Sequence, residues 1–308
     1  EVEPRIAINA TNTPGDADSL FKITQPGSYY LTGNITGVSA KHGIEIAAND
    51  VTIDLNGYAL RGVTGSLDGI GATTVVQNTA IVNGTINGWG DDGIDLLTTT
   101  CLNTRVQGVT ASNNGGDGIT LYANAVVRDS IAYLNGGNGI SVSVEGVIED
   151  CVAKMNTANG IVLGAVGVVS RCESRNNGSD GIQSTSNGYS SIFDCTSVDN
   201  GGNGIRVYRG TLVTRNNCSF NGAGGIFVTG PDNRIESNTL SSNTRGVDVD
   251  SSGNIIVKNT CSGSSAANWD IVVGNVILVV NATTAGAFTG NSGGAAPGSA
   301  DPNANFTY

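Results

Sequence analysis

The densest acidic cluster in the chain is Asp91-Asp92-Gly93-Ile94-Asp95. Asp68 and Asp117 stand at the same phase as Asp92 in neighbouring repeats, and His42 lies one repeat before Asp68. Two carboxyl groups at the right separation can cleave a glycosidic bond. One protonates the leaving oxygen and the other activates water, about 6.5–9.5 Å away in inverting chemistry. Two strand spacings give about 9.6 Å, at the edge of that range. Asp91, Asp92 and Asp95 are therefore candidate catalytic residues. Asp68, Asp92 and Asp117 are candidate ligands for Ca2+, which takes carboxylate and backbone oxygens. No cofactor is required, and Ca2+ is the one these residues suggest. A second set, Arg206, Tyr208, Phe227, Asp248 and Asp250, faces outward on a repeated extended segment, with Gln183 one repeat earlier and Arg209 just after. Sugar rings pack their C–H faces on aromatic surfaces. Tyr122, Arg206, Tyr208, Phe227, Asp248 and Asp250 are thus candidates for binding carbohydrate. The plainer expectation for both sets is structural: turn carboxylates recur in coil after coil, and an outward strand face is usually just solvated.

The elements that must carry these residues are set by a repeat. Glycine followed by Ile or Val begins at Gly43, Gly69, Gly93, Gly118, Gly139, Gly160, Gly181, Gly204, Gly225 and Gly246, at intervals of 21 to 26 residues. A fixed period in this range means one structural unit copied many times. Within one period, Ile140-Ser141-Val142-Ser143-Val144 alternates as a half-buried strand does. A second extended piece follows over 146–152, then a turn. No piece has helical spacing. Two or three short strands per period, returning to the same phase, describe a coil. Ten or eleven coils at the strand spacing would extend about 50 Å. The Ile or Val after each glycine should point inward, as should the apolar residue two places on. Asn or Asp before seven of these glycines (Asp68, Asp92, Asp117, Asn138, Asn159, Asp180 and Asn203), and the glycine itself, suit a left-handed turn. Asn114, Asn135, Asn156, Asn177, Asn200 and Asn221 stand four residues before their glycines and should stack as a ladder of amides.

With Ile23-Thr24-Gln25-Pro26-Gly27-Ser28-Tyr29-Tyr30-Leu31 and Val51-Thr52-Ile53-Asp54-Leu55-Asn56-Gly57 at its start, the chain resembles the right-handed parallel β-helix proteins of the pectate-lyase-like superfamily, in particular secreted NosD-like repeat proteins. Its ending, Asp301 to Tyr308, is like tails of planctomycete members. The resemblance implies an all-β, single-domain right-handed parallel β-helix with caps at both ends. It covers most of the chain and is poor for activity, since the superfamily includes lyases, hydrolases, epimerases, tailspikes and non-enzymes. Lyases of this fold use a basic residue to remove a proton beside a carboxylate, which makes Arg206 and Asp248 further catalytic candidates. Part of the polygalacturonase pattern is present, but Lys41-His42-Gly43 replaces Gly-His-Gly and no Arg-x-Lys occurs.

The expected division is residues 1–42 as cap and first coil, 43–271 as the coils, and 272–308 as second cap and tail. Phe21, Ile23, Tyr29, Tyr30 and Leu31 should close the core at the first end. The Gly-, Ser- and Ala-rich stretch 290–298 suits a flexible tail, docked on its own subunit or on a neighbour. Cys151, Cys172 and Cys195 each lie nine residues before a repeated glycine, and Cys218 seven before; all four should face one side, as buried thiols or as Cys151–Cys172 or Cys195–Cys218 bridges. A single histidine and no CxxC spacing argue against zinc. The net charge of −11 disfavours nucleic acid and anionic membranes. No apolar run reaches the length of a membrane span. The chain begins at Glu1 and reads as a mature secreted or cell-surface protein. Two functions are open. One is a non-catalytic structural role, with end-to-end assembly into filaments or glycan binding; the other is a lyase or hydrolase acting on an extracellular polysaccharide.

Overall fold

The computed structural model describes residues 5–97, 101–281, 289–290 and 302–307. Residues 291–300, and with them most of the tail expected to dock, lie outside that set. Every described element is a strand, bridge, turn or bend. The fold is an all-β parallel β-solenoid of about 12 turns, close to the ten or eleven expected. Two compact units divide it, Glu1–Ala158 and Asn159–Tyr308.

In the first unit three strand columns run in parallel register. Phe21, Ile44, Ile70, Ile94, Ile119 and Ile140 stack in one. Tyr29, Ile53, Ile81, Val106, Val127 and Ile148 stack in the next. Ile35, Leu60, Ile86, Ala111, Ala132 and Ala153 form the third. The second unit repeats the scheme, with Ile161, Ile182, Ile205, Ile226, Val247 and Trp269 aligned. Like side chains lie over like because each coil returns to the same phase. The Ile or Val after each repeated glycine is fully buried. The first coil starts at Ser19, whose strand pairs with His42–Ile46. Ile23, Tyr29 and Leu31 are buried there, while Phe21 and Tyr30 stay partly exposed. The strand Asn305–Thr307 pairs with Thr260–Ser262 and Val279–Asn281, so the last described residues pack on the second unit itself.

The Asn ladder forms. Asn135 Oδ1 accepts both the backbone N–H and the Nδ2 of Asn114 at 3.2 and 3.0 Å, and its own Nδ2 donates to Ala111 O and Asn156 Oδ1. In the second unit Asn177, Asn200, Asn221 and Asn243 repeat the pattern. Two more ladders stand there, Asn216–Asn238–Asn259–Asn305 and Asn233–Asn254–Asn275. The residue before each rung of the first ladder carries the positive φ: Asn113, Leu134, Met155, Asn176, Asp199, Phe220 and Ser242.

Two expectations are corrected. The repeated glycines, and the Asp or Asn before them, are absent from the left-handed region. Glycine is required there for close approach instead: a Cβ on Gly118 would sit 2.6 Å from Gly139 O and 2.8 Å from Asn135 Nδ2, and one on Gly181 2.7 Å from Gly204 O. Cys218 does not share the column of Cys195. It aligns with Ser197 and Leu240, whereas Asn216 follows Cys195 and its Oδ1 accepts the Cys195 N–H at 2.9 Å. The two-residue difference in spacing places Cys218 on the next inward position, and Cys195 and Cys218 are separate thiols. All six cysteines are buried. A hydrogen bond with the neighbouring Cys172, and then burial, push the Cys195 thiol upward, so it stays protonated.

Gly118→Ala should lower stability by about 2 kcal/mol or more, since the added methyl meets backbone that cannot move. Gly33→Ala, with nothing within 4 Å, should be close to neutral. Asn135→Ala strands buried donors and acceptors and should cost about 3 kcal/mol. Thermal melts of the three variants check this ranking.

Candidate functional site

The turn before each repeated strand carries a column of Asp and Asn side chains, and the column has a structural task. Asp68 Oδ1 accepts the Asp92 N–H at 2.9 Å, Asp92 Oδ1 the Asp117 N–H at 2.6 Å, and Asp117 Oδ1 the Asn138 N–H at 2.6 Å. In the second unit Asn159, Asp180 and Asn203 do the same for Asp180, Asn203 and Gly224. Asp and Asn serve equally, because only a side-chain oxygen is needed. The three aspartates named as Ca2+ ligands are thus spent on the next coil's backbone, and Asp117 Oδ2 also accepts Thr120 Oγ1 at 3.0 Å.

What sets the first unit apart is what gathers around this column. His42 Nδ1 lies 3.1 Å from Asp68 Oδ2, and the carboxylate raises the pKa of the imidazole above its ordinary value. The Asp68 N–H also points at Nδ1, at 3.3 Å. A protonated Nδ1 cannot accept it, so the ion pair is the interaction that stands. Asp95 faces outward from the next strand, in register between Gly71 and Thr120. Asp68 and His42 pack against Gly71: a Cβ there would be 3.3 Å from both Asp68 Oδ2 and His42 Nδ1. Asp91 and Asp92 lie side by side beneath Gly116, whose hypothetical Cβ would meet an oxygen of each.

Crowding and burial raise the proton affinity of these acids. Asp92 is pushed up to about 7, first by burial and then by Asp117, Asp68 and Asp95, against the Asp117 N–H that favours its charged form. Burial, then Asp68 and Asp91, raise Asp95. Burial, then Asp68 and Asp117, raise Asp91, and His42 opposes. Carboxyl groups that keep a proton toward neutral pH are suited to general acid catalysis. Asp91, Asp92 and Asp95 are therefore brought together as the sequence suggested, joined by His42 and Asp68.

The second set is split. On one outward column of the second unit Gln183, Arg206, Phe227, Asp248 and Asp270 are in register. The Arg206 guanidinium lies 5.8 Å from the Phe227 ring centre and 3.8 Å from Asp180 Oδ2. A polar hollow of about 350 Å³ opens between Gln183, Ser184, Thr185, Arg206, Tyr208 and Thr229. Asp248 is held by Arg245 at 3.5 Å, and Arg245 also bonds Asp270 at 2.9 Å. Burial first, then Asp250 and Asp270, push Asp248 up to about 6. Asp250 is exposed beyond the strand end, and Tyr122 lies in the first unit. Arg206 and Tyr208 line one hollow, and Asp248 stands two coils from Arg206 along the column.

The sequence reading passed over Glu45, Lys22, Asp16 and Asp18, which flank His42. Glu45 occupies the same outward column as Asp95 and is 1% exposed. Its phase was the available signal; an outward acid with almost no exposure was not foreseeable from spacing.

Folded Asp92 keeps its proton to about pH 7, the unfolded chain only to about pH 3.9. Between those values the folded state binds more protons, so this group's contribution to stability falls as pH rises. Asp92→Asn keeps the acceptor for the Asp117 N–H and removes the charge. Its melting temperature should exceed wild type at pH 8 and match it near pH 4. Asp92→Ala, which loses the acceptor as well, should be about 1 kcal/mol less stable than Asp92→Asn at both. A lower melting temperature for Asp92→Asn at pH 8 would contradict the assignment.

Among solved structures, the A-module of mannuronan C-5 epimerase AlgE4 from Azotobacter vinelandii is similar with a TM-score of 0.72 at 17% identity, covering 88% of this chain and 87% of that one. The catalytic domain of a GH87 α-1,3-glucanase in complex with nigerose is similar at 0.67 and 12%, covering 87% of this chain and 62% of that one. The Dettilon tailspike protein gp208 gives 0.52 and 15%, over 94% of this chain and 60% of that one. At such identities the likeness is one of fold. No curated protein matches the chain. The family model described as right handed beta helix region matches residues 25–167 and 159–294, and the chain belongs to that family.

Proposed function

We propose that the protein works outside the cell on a polysaccharide, and that the first unit supplies acid–base chemistry for cleaving a glycosidic bond. One observation carries this reading: Asp95 stands in register beside Gly71, against which the paired Asp68 and His42 pack, and Asp95 and Asp91 are both held toward their protonated forms. Asp95, partly buried, is the proton donor to the leaving oxygen. Asp91, the more exposed, loses its proton first and activates water. His42, paired to Asp68, places positive charge beside both. Asp92 stays with the backbone. The polar hollow around Arg206 and Tyr208 gives the second unit a surface for sugar rings. The fold is shared with a mannuronan epimerase module and a glucanase domain, which supports a polysaccharide as the class of substrate.

A second reading, a non-catalytic surface or filament-forming scaffold that at most binds glycans, is favoured by a different observation. Asp68, Asp92 and Asp117 each satisfy the next coil's N–H, as Asn does elsewhere in the same column. Incubation with a panel of neutral and acidic polysaccharides, read by reducing ends and by absorbance at 235 nm, separates the two. Cleavage should rise to an optimum on the acid side of neutrality, because activity needs Asp95 protonated and Asp91 ionised. Asp95→Asn should reduce the rate by 10²-fold or more, and Gly71→Val should block it by pressing on Asp68 and His42. Binding without cleavage across the panel, or an active Asp95→Asn, would favour the scaffold.

A further inference from the structure

The strongest unassigned feature is a buried carboxylate oxygen with no partner. Glu45 is 1% exposed, and its Oε2 is buried without any hydrogen bond. Its other oxygen is well served: Oε1 receives Lys22 Nζ at 2.8 Å and the Thr73 hydroxyl at 2.5 Å. An orphaned carboxylate oxygen inside a protein costs the full desolvation of that atom. Such a group calls for a proton, a donor or a metal. Lys22 and Thr73 both favour the ionised form, and the Glu45 pKa lies below its ordinary value even though burial, the largest influence on it, raises it. A proton is thus the poorer answer.

Asp16 and Asp18 complete the surroundings. One carboxylate oxygen from each, with one from Glu45, lie within 4.8 Å of one another. The Asp16-Ala17-Asp18-Ser19 turn is held rigidly: Asp16 Oδ1 accepts the Asp18 and Ser19 N–H groups at 3.3 and 3.1 Å and the Ser19 hydroxyl at 2.8 Å. The Ser19–Ile23 strand pairs with His42–Ile46, which puts Lys22 in register with Glu45. Lys22 Nζ bridges Asp16 Oδ2 at 2.7 Å and Glu45 Oε1. Lys41 Nζ sits on the main-chain carbonyls of Asp16 and Ser19 and leaves the carboxylates alone. Three carboxylates against Lys22 leave two negative charges, which one divalent cation neutralises.

The geometry points to a calcium site formed by Asp16, Asp18 and the buried Glu45, whose Oε2 has no hydrogen-bond partner. Calcium reaches oxygens at about 2.3–2.6 Å, so opposed ligands stand about 4.6–5.2 Å apart. The three oxygens lie within that reach of one another. Magnesium, at about 2.0–2.1 Å in a strict octahedron, tolerates less departure from ideal geometry. Asp16 and Asp18 face solvent, which leaves room for the waters that complete a calcium shell. The site ties the segment before the first coil to the second coil, and it is independent of the acid–base reading.

Calorimetric titration of the whole protein with CaCl2, after treatment with EDTA, tests it. One site per chain with micromolar to sub-millimolar affinity is expected, with MgCl2 at least tenfold weaker and the melting temperature rising with added Ca2+. Glu45→Gln should weaken Ca2+ at least tenfold. Asp18→Asn, on an exposed side chain whose loss cannot unfold the chain, should do likewise. Asp117→Asn, in the turn column, should bind as wild type does. No heat and no thermal shift at 10 mM Ca2+ would overturn the site. So would unchanged binding in Asp18→Asn and Glu45→Gln, or loss of binding in Asp117→Asn.

Discussion

From Asn114 onward the coils of this solenoid leave turn backbone outside the strand ladders, and buried asparagine side chains pair it. The carbonyl oxygen of Asn135 takes two N–H groups of Asn114, and its amide gives two back, to Ala111 and Asn156. All the hydrogen-bonding capacity used is buried, and an unpaired buried amide is expensive. The same arrangement recurs three times over in the second unit. Strand pairing alone would tolerate slippage along a column. The side-chain ladders do not, because a one-residue shift removes donor and acceptor together.

Glycine and the Asp/Asn column follow from that constraint. Coils stacked at the strand spacing bring the turn carbonyl of one coil against the Cα of the next, and only a residue without Cβ fits, as at Gly118 and Gly181. Trp89 takes the place in the first unit where the ladder would have its next Asn, and its N–H donates to Asn114 Oδ1 at 3.1 Å. Its ring covers the glycines of two coils, with atoms 2.7 Å from a hypothetical Cβ on Gly43 and 3.0 Å from one on Gly69. The backbone thereby offers an outward strand face at fixed spacing. The acids beside His42 owe their raised proton affinity to being set close together by that spacing and to partial burial, so the candidate chemistry is a consequence of the stack.

The period and the inward Ile or Val were legible because they repeat, and repetition makes a pattern visible without knowledge of contacts. So was the ladder from Asn114 to Asn221. The other two ladders were equally periodic but were hidden by substitution: the column that holds Cys172 and Cys195 becomes Asn216, Asn238 and Asn259. Asp91, Asp92 and Asp95 could be grouped from spacing. Which of them would be consumed by backbone hydrogen bonds could not, since that depends on turn geometry. Glu45 was invisible for a similar reason. An outward position on a strand implies exposure, and only the packing of Lys22, Thr73 and the Asp16 turn over it makes it buried. The role given to glycine was misjudged because the steric demand comes from the neighbouring coil, not from the local dihedral.

The central claim is that asparagine amides, beside the strand ladders, hold coil to coil from Asn114 onward. Native-state hydrogen exchange, resolved by residue, addresses it directly. The backbone N–H groups of Asn114, Asn200, Asn221 and Asn238, all donated to side-chain oxygens, should be among the slowest to exchange, opening only with whole-unit unfolding. If they exchange as readily as the exposed turn amide of Thr64, while strand amides such as Ile53 and Ile81 remain protected, the ladders ornament the stack and do not support it.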